Sequence, residues 1–187
     1  MSVVASHPSL TPEQVERASK RDGKLYELID GELKEKVVGT KALFIASQIC
    51  NRLNSFFYPA AGFACVEPMI YCFTKANHGR KPDVAFLRFD QVPNRVIPDG
   101  DIFVPPVLVV EVLSPGNSGT ELDEKLDEYL SAGIEMVWIV NPDKQTIRLY
   151  RGNGTMRLYR AKDVIENEAA LPAFRLAVDE VFPSLTV

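Results

Sequence analysis

Residues 105–115 read PPVLVVEVLSP, an apolar run between prolines that contains one carboxylate, Glu111. Short apolar runs bounded by turn residues are typical of strands that are covered on both faces of a sheet. A charge in such a strand costs free energy unless it is paired or serves a function. Glu111 is therefore the first candidate site residue, and its partners have to be found elsewhere in the chain.

The residues after this run predict a crossover between two parallel strands. Residues 120–132 place apolar side chains at helical spacing, with acidic residues in the first turn and Gly133 after the end. MVWIVN at 136–141 is typical of another strand. A strand, a helix and a strand in this order predict a parallel pair within one sheet.

Further elements are predicted on both sides of this unit. Thr11, Pro12 and Gln14 predict a helix start, and Asp30-Gly31 between two strand-like runs predicts a hairpin over 24–37. The apolar spacing in 40–58 predicts an amphipathic helix. The remaining predictions are strands at 63–66, 69–73 and 83–87, a loop at 91–100, a hairpin around 152–154, and an apolar tail that docks on the body.

Length and composition limit the class of protein. The 187 residues, 46% of them hydrophobic, predict one domain over 1–187, with a polar, flexible start at 1–10. The net charge of -4 and the pI near 5.3 argue against non-specific coating of nucleic acid, which needs many basic residues. Three cysteines and no signal-peptide pattern predict a reduced, cytoplasmic location. Since no apolar stretch approaches the roughly 18 residues of a membrane helix, we expect a soluble protein.

Asp83 is the second candidate site residue, at the head of the strand-like DVAFL. If this strand runs antiparallel to VLVVEVL, its start lies beside the end of that strand, and Asp83 meets Glu111. Two carboxylates from neighbouring strands suit Mg²⁺, which takes one or two protein carboxylates and keeps several waters. The backbone carbonyl of Val112 is a further candidate ligand.

Lys125 is the third candidate. At about 100° per residue it falls on the edge of the apolar stripe of the predicted helix, within reach of the strand end that carries Glu111. A lysine there is suited to hold a phosphate oxygen or orient an attacking water. The alternative is an exposed pair with Glu121, four residues earlier, which is worth a few tenths of a kcal/mol.

Structural roles are also open to the two carboxylates. Asp83 can cap backbone N–H groups at the start of its strand. Glu111 can form a structural ion pair with an arginine such as Arg80 or Arg88.

The other polar clusters are weaker candidates. Cys65, Cys72 and His78 do not have the tight four-ligand spacing of a structural zinc site, and the other histidine is His7. We expect the cysteines to be small buried side chains. We expect the hairpin glutamates Glu27, Glu32 and Glu35 to be exposed to solvent, although one of them is able to reach the site. The basic pair Arg80-Lys81, with Arg88 and Arg95 nearby, is a candidate for contacts with backbone phosphates, but such clusters are more typical of ordinary surface. With no phosphate loop, nucleotide-binding glycine motif or nucleophile elbow, hydrolysis by a metal-activated water fits the residues best.

Five segments in order resemble the Uma family (Uma-two) of bacterial restriction-endonuclease-like proteins: YELIDGELKEK, RKPDVAFLR, PPVLVVEVLSP, DEKLDEYLSAGIEMVWIVNP and LPAFRLAVDEVF. The resemblance implies the PD-(D/E)XK nuclease fold, an α/β class with a mixed central sheet flanked by helices, here preceded by a β-hairpin. It also implies a Mg²⁺-dependent phosphodiesterase site. Pro82-Asp83 matches the PD element and Glu111 the following acid. The usual lysine position, two residues later, is Leu113 here, and the family's helix lysine is Lys125.

The expectation is a metal-dependent endonuclease that cleaves nucleic acid, with DNA as the expected substrate. Asp83 and Glu111 would bind Mg²⁺, for which Mn²⁺ can substitute, and Lys125 would orient the water or neutralise the transition state. Leu113 and the acidic net charge motivate a rival, a non-catalytic module of the same fold that binds nucleic acid or a protein partner. A homodimer is a third possibility, with the hairpin edges as the contact.

Overall fold

A computed structural model describes residues 10–114 and 118–182, so part of the predicted flexible start, residues 1–9, lies outside the described residues. The helices are α1 (Pro12–Asp22), α2 (Thr40–Phe57) and α3 (Gly119–Ser131). The main strands are β1 (Leu25–Ile29), β2 (Glu32–Lys36), β3 (Gly62–Val66), β4 (Val84–Arg88), β5 (Leu108–Val112), β6 (Met136–Asn141), β7 (Thr146–Arg151) and β8 (Met156–Arg160). Two short strands, β9 (Val164–Ile165) and β10 (Leu176–Ala177), and three 3₁₀ turns complete the described chain.

Six strands form the central sheet in the order β3-β4-β5-β6-β7-β8. Strands β5 and β6 are parallel, as the crossover through α3 predicts, whereas the other neighbours are antiparallel. The mixed α/β class with helices on the sheet and a hairpin before it is thus confirmed. All five residues of β5 are buried, which is why this central strand is almost entirely apolar.

The two faces of the sheet carry separate apolar clusters. Side chains alternate along a strand, so Val110 and Val112 of β5 face the cluster that includes α2, while Val109 faces the cluster with Tyr129 of α3. Glu111 shares the face of Val109. The alternation therefore directs the one charge of β5 toward α3.

The hairpin β1–β2 turns at Asp30-Gly31, both with positive φ (51° and 89°). This is the backbone of a type I′ turn and explains the Asp-Gly signal in the sequence. Leu28 bridges to Gly79 with a backbone bond of 2.9 Å, which attaches the hairpin next to the segment leading into β4. The hairpin consequently lies beside the start of β4.

One predicted strand is wrong. Residues 69–73 form no strand, because Ile70 makes only isolated bridges, to Arg80 and Ile102, between segments that continue as loops. The predicted loop at 91–100 holds a 3₁₀ turn at Pro93–Arg95. The apolar tail docks as predicted, with Phe174, Leu176 and Val178 in the α2-side cluster. No helix in the described ranges is both long and apolar enough to span a bilayer.

Candidate functional site

The site lies where β4 begins and β5 ends, between the hairpin and α3. A cavity of about 490 Å³ opens there. Its lining includes the four predicted site residues, Asp83, Glu111, Val112 and Lys125. It also includes Glu27 and Lys36 of the hairpin, which were not predicted as site residues. Residues far apart in sequence thus converge on one opening.

Asp83 is 3% exposed and is fixed by bonds to both neighbouring segments. Its N–H donates to the Val110 carbonyl (3.0 Å), and its Oδ2 accepts from the Val112 N–H (2.5 Å). Its Oδ1 accepts from Lys36 Nζ at 2.7 Å. The capping alternative is therefore realised in part, because one oxygen holds a backbone N–H while the carboxylate still faces the cavity.

Glu111 is buried, 7% exposed, and meets α3 as the strand alternation requires. Tyr129 donates its hydroxyl to Glu111 Oε1 at 2.6 Å, and Lys125 Nζ lies 3.5 Å from the same oxygen. Burial raises the pKa of Glu111, and the nearby Asp83 charge acts in the same direction while the lysines oppose it. The antiparallel pairing of β4 and β5 thus brings the two carboxylates to one site, as predicted.

The predicted arginine partners of Glu111 are wrong. Arg80 pairs instead with Glu27 (3.0 Å) and Glu128 (2.6 Å), and Arg88 with Glu135 (2.8 Å). These arginines are held by the hairpin, by α3 and by the loop after α3, so neither is placed to neutralise the end of β5.

Lys125 points into the site, so its predicted alternative pair with Glu121 is wrong. Its ammonium group bonds Glu27 Oε1 at 3.0 Å as well as Glu111, and the residue is 6% exposed. Burial alone would lower the pKa of Lys125, but Glu111 and Glu27 outweigh it and raise that pKa. Glu121 instead pairs with Lys34 of the hairpin, at 2.9 Å. The raised pKa keeps the lysine charged near neutral pH.

The Val112 carbonyl is directed toward Asp83. The N–H and C=O of one strand residue point to the same neighbouring strand, and the Val112 N–H already donates to Asp83. The carbonyl therefore faces the same side, and its role as a ligand stays a prediction.

Glu27 is a site residue that the sequence did not single out, although one of the three hairpin glutamates was expected to be able to reach the site. It was expected to be solvated, yet it is 2% exposed and bridges Lys125, Arg80 and the Lys81 N–H. Burial alone would raise the pKa of Glu27, but the charges of Lys125 and Arg80 outweigh it and lower that pKa. A signal was present, because Glu27 shares a strand face with the apolar Leu25 and Ile29, just as Glu111 shares one with apolar neighbours.

Lys36, at the end of β2, was also missed. Its ammonium group bonds Asp83 Oδ1, the carboxylate of Glu67 and the carbonyl of Lys81. Burial alone would lower the pKa of Lys36, but Glu111, Asp83 and Glu67 outweigh it and raise that pKa. No spacing in the sequence indicates this role, since Lys36 follows two other charged residues in an exposed strand.

The basic pair Arg80-Lys81 was expected at the surface, which is wrong for Arg80 because it is 2% exposed. Cys65 and Cys72 are half-buried, and burial raises the pKa of both thiols, to about 12 and about 11. His78 is buried between Asp30 and Glu128. Among the described residues, Cys65, Cys72 and His78 do not form a zinc site. His7 lies outside the described residues.

The donor set at the cavity suits a hard divalent cation. Mg²⁺ in proteins takes one or two carboxylates and keeps several waters, each of which needs about 30 Å³. Asp83 and Glu111 supply the carboxylates, and the cavity has room for the waters. Across 10–114 and 118–182, no three histidine, cysteine, aspartate or glutamate side chains are arranged as a metal cluster. A cation here would therefore rely on two carboxylates, the backbone and water.

Comparison with known proteins extends these observations. One solved structure, titled as that of "a putative nuclease belonging to DUF820" from Anabaena variabilis ATCC 29413, superposes with a TM-score of 0.70. It is 24% identical, and the alignment covers 84% of this chain and 89% of that one, so the likeness shows a shared fold. No curated protein matches the chain.

The match to a family model is more extensive. The model of Uma2, described as "Putative restriction endonuclease", matches residues 12–179, which include the hairpin, both carboxylates and α3. Because this range spans most of the chain, the match confirms the resemblance seen in the sequence. The chain belongs to the Uma2 family of restriction-endonuclease-like proteins.

Proposed function

We propose that the protein is a metal-dependent endonuclease that hydrolyses phosphodiester bonds of nucleic acid, with DNA as its substrate. The observation that carries this proposal is the convergence of Asp83, Glu111 and Lys125 on one solvent-accessible cavity. The family and the fold agree with it.

Asp83 and Glu111 would hold Mg²⁺ or Mn²⁺, with the Val112 carbonyl as a further ligand. When bound, such a cation lowers the pKa of a bound water and stabilises negative charge on the phosphate. The Val112 N–H fixes Asp83, and the Tyr129 hydroxyl fixes Glu111, so both carboxylates are oriented before a cation arrives. Preorganisation of this kind avoids a reorganisation cost during the reaction.

Lys125 would contact a phosphate oxygen or the attacking water. Its ammonium group is held by Glu27 on one side and Glu111 on the other, which places a fixed positive charge at the rim of the carboxylate pair. Leu113 stands where a lysine follows the acid in the plain PD-(D/E)XK pattern. The helix thus supplies the charge that β5 lacks.

The test is cleavage of supercoiled plasmid, linear duplex, single-stranded DNA and RNA with Mg²⁺ or Mn²⁺. We expect cleavage of DNA by the purified protein and its loss in Asp83→Asn and in Glu111→Gln. Glu32→Gln, an exposed carboxylate on the hairpin, is the matched control and should keep full activity. Activity that survives both site substitutions refutes the assignment.

A non-catalytic module of the same fold is the second candidate. It is favoured by Asp83, whose two oxygens both accept hydrogen bonds from this chain, and by Leu113 at the usual lysine position. Such a module would bind DNA without cutting it. Calorimetric titration with Mn²⁺ separates the two, because binding that is absent, or unchanged by Glu111→Gln, favours the module.

A further inference from the structure

The Lys36 ammonium group lies in a cage of oxygen atoms. Nζ is 2.7 Å from Asp83 Oδ1, 3.0 and 3.3 Å from the two Glu67 oxygens and 2.6 Å from the Lys81 carbonyl oxygen. The side chain is only 11% exposed. Carboxylate and carbonyl oxygens are also the ligands of a hard metal cation. The ammonium group and a metal at Asp83 therefore compete for the same oxygen.

Glu67 is held in place by contacts other than that with Lys36. Its φ is +50°, a conformation that is uncommon for a residue with a side chain and disfavoured before a proline such as Pro68. Its N–H donates to the Asp83 carbonyl (3.1 Å), and its own carbonyl accepts from Lys81 Nζ (2.8 Å). These bonds fix the Glu67 backbone beside Lys36, on a segment separate from β5, and the carboxylate extends from it to the Lys36 ammonium group.

We propose that in the metal-free protein the Lys36 ammonium group is paired with both Asp83 and Glu67. A divalent cation then displaces this ammonium group from Asp83, and the ammonium group stays paired with Glu67. This inference rests on the proposed function, because it takes Asp83 as a metal ligand. Before metal binds, Lys36 neutralises Asp83 and keeps it oriented. After metal binds, the ammonium group stays with Glu67. Lys36 is a positioning residue that sets the metal affinity of the site.

The test is calorimetric titration of the full chain with Mn²⁺ alone. Lys36→Met removes the competing charge, and at the few Å that separate these groups one charge is worth at least about tenfold in affinity. Lys36→Gln, which keeps a hydrogen-bond donor without the charge, should tighten binding similarly. Lys34→Met removes the same charge from the same strand, but its ammonium group bonds Glu121, so Kd should change by less than about twofold.

Glu67 gives the second arm of the test. Glu67→Gln removes the carboxylate that retains the displaced lysine, so Mn²⁺ should bind more weakly, by roughly three- to tenfold. In the Lys36→Met background the same change should have little effect, because Glu67 acts through Lys36. If Glu67→Gln weakens binding equally in both backgrounds, Glu67 is a direct ligand and the proposal is overturned.

The outcomes also separate this inference from the proposed function. Mn²⁺ binding that depends on Asp83 and Glu111 but does not tighten in Lys36→Met or Lys36→Gln overturns the Lys36 role alone. No Mn²⁺ binding by the wild type or any variant overturns both the metal site and the competition. Urea unfolding of each variant establishes that the titrated protein is folded.

Discussion

Lys125 Nζ of α3 lies 3.5 Å from Glu111 Oε1 of β5, and both side chains are buried at the rim of one cavity. The parallel crossover creates this contact, because α3 returns across the sheet face to which Glu111 points. Glu27 of the hairpin completes the arrangement from the other side of the ammonium group. The consecutive elements β5 and α3, together with the distant hairpin, therefore hold one ammonium group between two carboxylates.

Replacement of Lys125 by methionine tests the catalytic role of that charge. Cleavage should fall by about 10²- to 10³-fold, the cost of losing one fixed group that stabilises transition-state charge. Mn²⁺ affinity should not weaken, since the lost charge is positive. Plasmid cleavage rates with saturating metal give the measurement, and Lys162→Met, an exposed lysine far along the chain, is the control. Undiminished cleavage in Lys125→Met would contradict the role.

Leu113 offers a complementary gain-of-function test. It follows Glu111 by two residues, so its side chain leaves the same face of the chain, next to the apolar cluster of α3. In a Lys125→Met background, Leu113→Lys should recover at least about tenfold of the lost cleavage rate, because it returns a positive charge near Glu111. A folded double variant that is no faster than Lys125→Met alone would show that the two positions are not interchangeable.

Glu27→Gln should be strongly destabilising. Glu27 is the carboxylate that compensates Lys125 and Arg80, and removal of one partner from a buried ion pair costs about 3 kcal/mol of unfolding free energy. Urea denaturation provides the measurement. Glu35→Gln, whose carboxylate is 42% exposed and pairs with Lys24, should cost less than about 1 kcal/mol. Equal effects of the two changes would argue against a structural role for the buried network.

Glu168, which lies outside the candidate site, should make the stability of the protein depend on pH. Burial alone would raise the pKa of Glu168, but hydrogen bonds from Arg151 at 2.6 and 2.7 Å outweigh it and lower that pKa below its ordinary 4.5. A carboxyl with a lowered folded pKa stabilises the protein above its unfolded pKa and loses that contribution as pH falls through the folded value.

Glu168→Gln should therefore cost about 2 kcal/mol at pH 7 and progressively less below pH 4.5. Urea midpoints for the wild type and the variant across this range provide the check. Glu166→Gln is the control, because Glu166 pairs with Arg175 and its side chain is 39% exposed, so the change should have little effect at either pH. A cost that stays constant down to acidic pH would contradict the lowered pKa.

Periodicity and turn residues were sufficient to predict most of the fold. The β5-α3-β6 crossover, the Asp30-Gly31 hairpin and α2 all follow from local patterns whose physical causes act within a few residues. The strand predicted at 69–73 is wrong, because Ile70 makes isolated bridges to two different segments and these residues form no continuous ladder with one neighbouring strand. Burial of apolar side chains does not by itself require a strand.

The site was predictable only in part, for a related reason. Asp83, Glu111 and Lys125 each break a local pattern or lie at its edge, and the structure brings them to one cavity. Glu27 likewise interrupts an apolar strand face, but it was expected to be exposed to solvent, since a hairpin glutamate is usually exposed. Lys36 reaches Asp83 across 47 residues of sequence, and only the docking of the hairpin creates that contact.

The most direct test of the account is a crystal structure of the protein soaked with Mn²⁺, with anomalous scattering to locate the metal. The account predicts an Mn²⁺ ion bound by Asp83 and Glu111, with the Lys125 ammonium group beside it. An ion bound away from both carboxylates, or none in crystals of a protein that cleaves DNA with Mn²⁺, would contradict the assignment of the site.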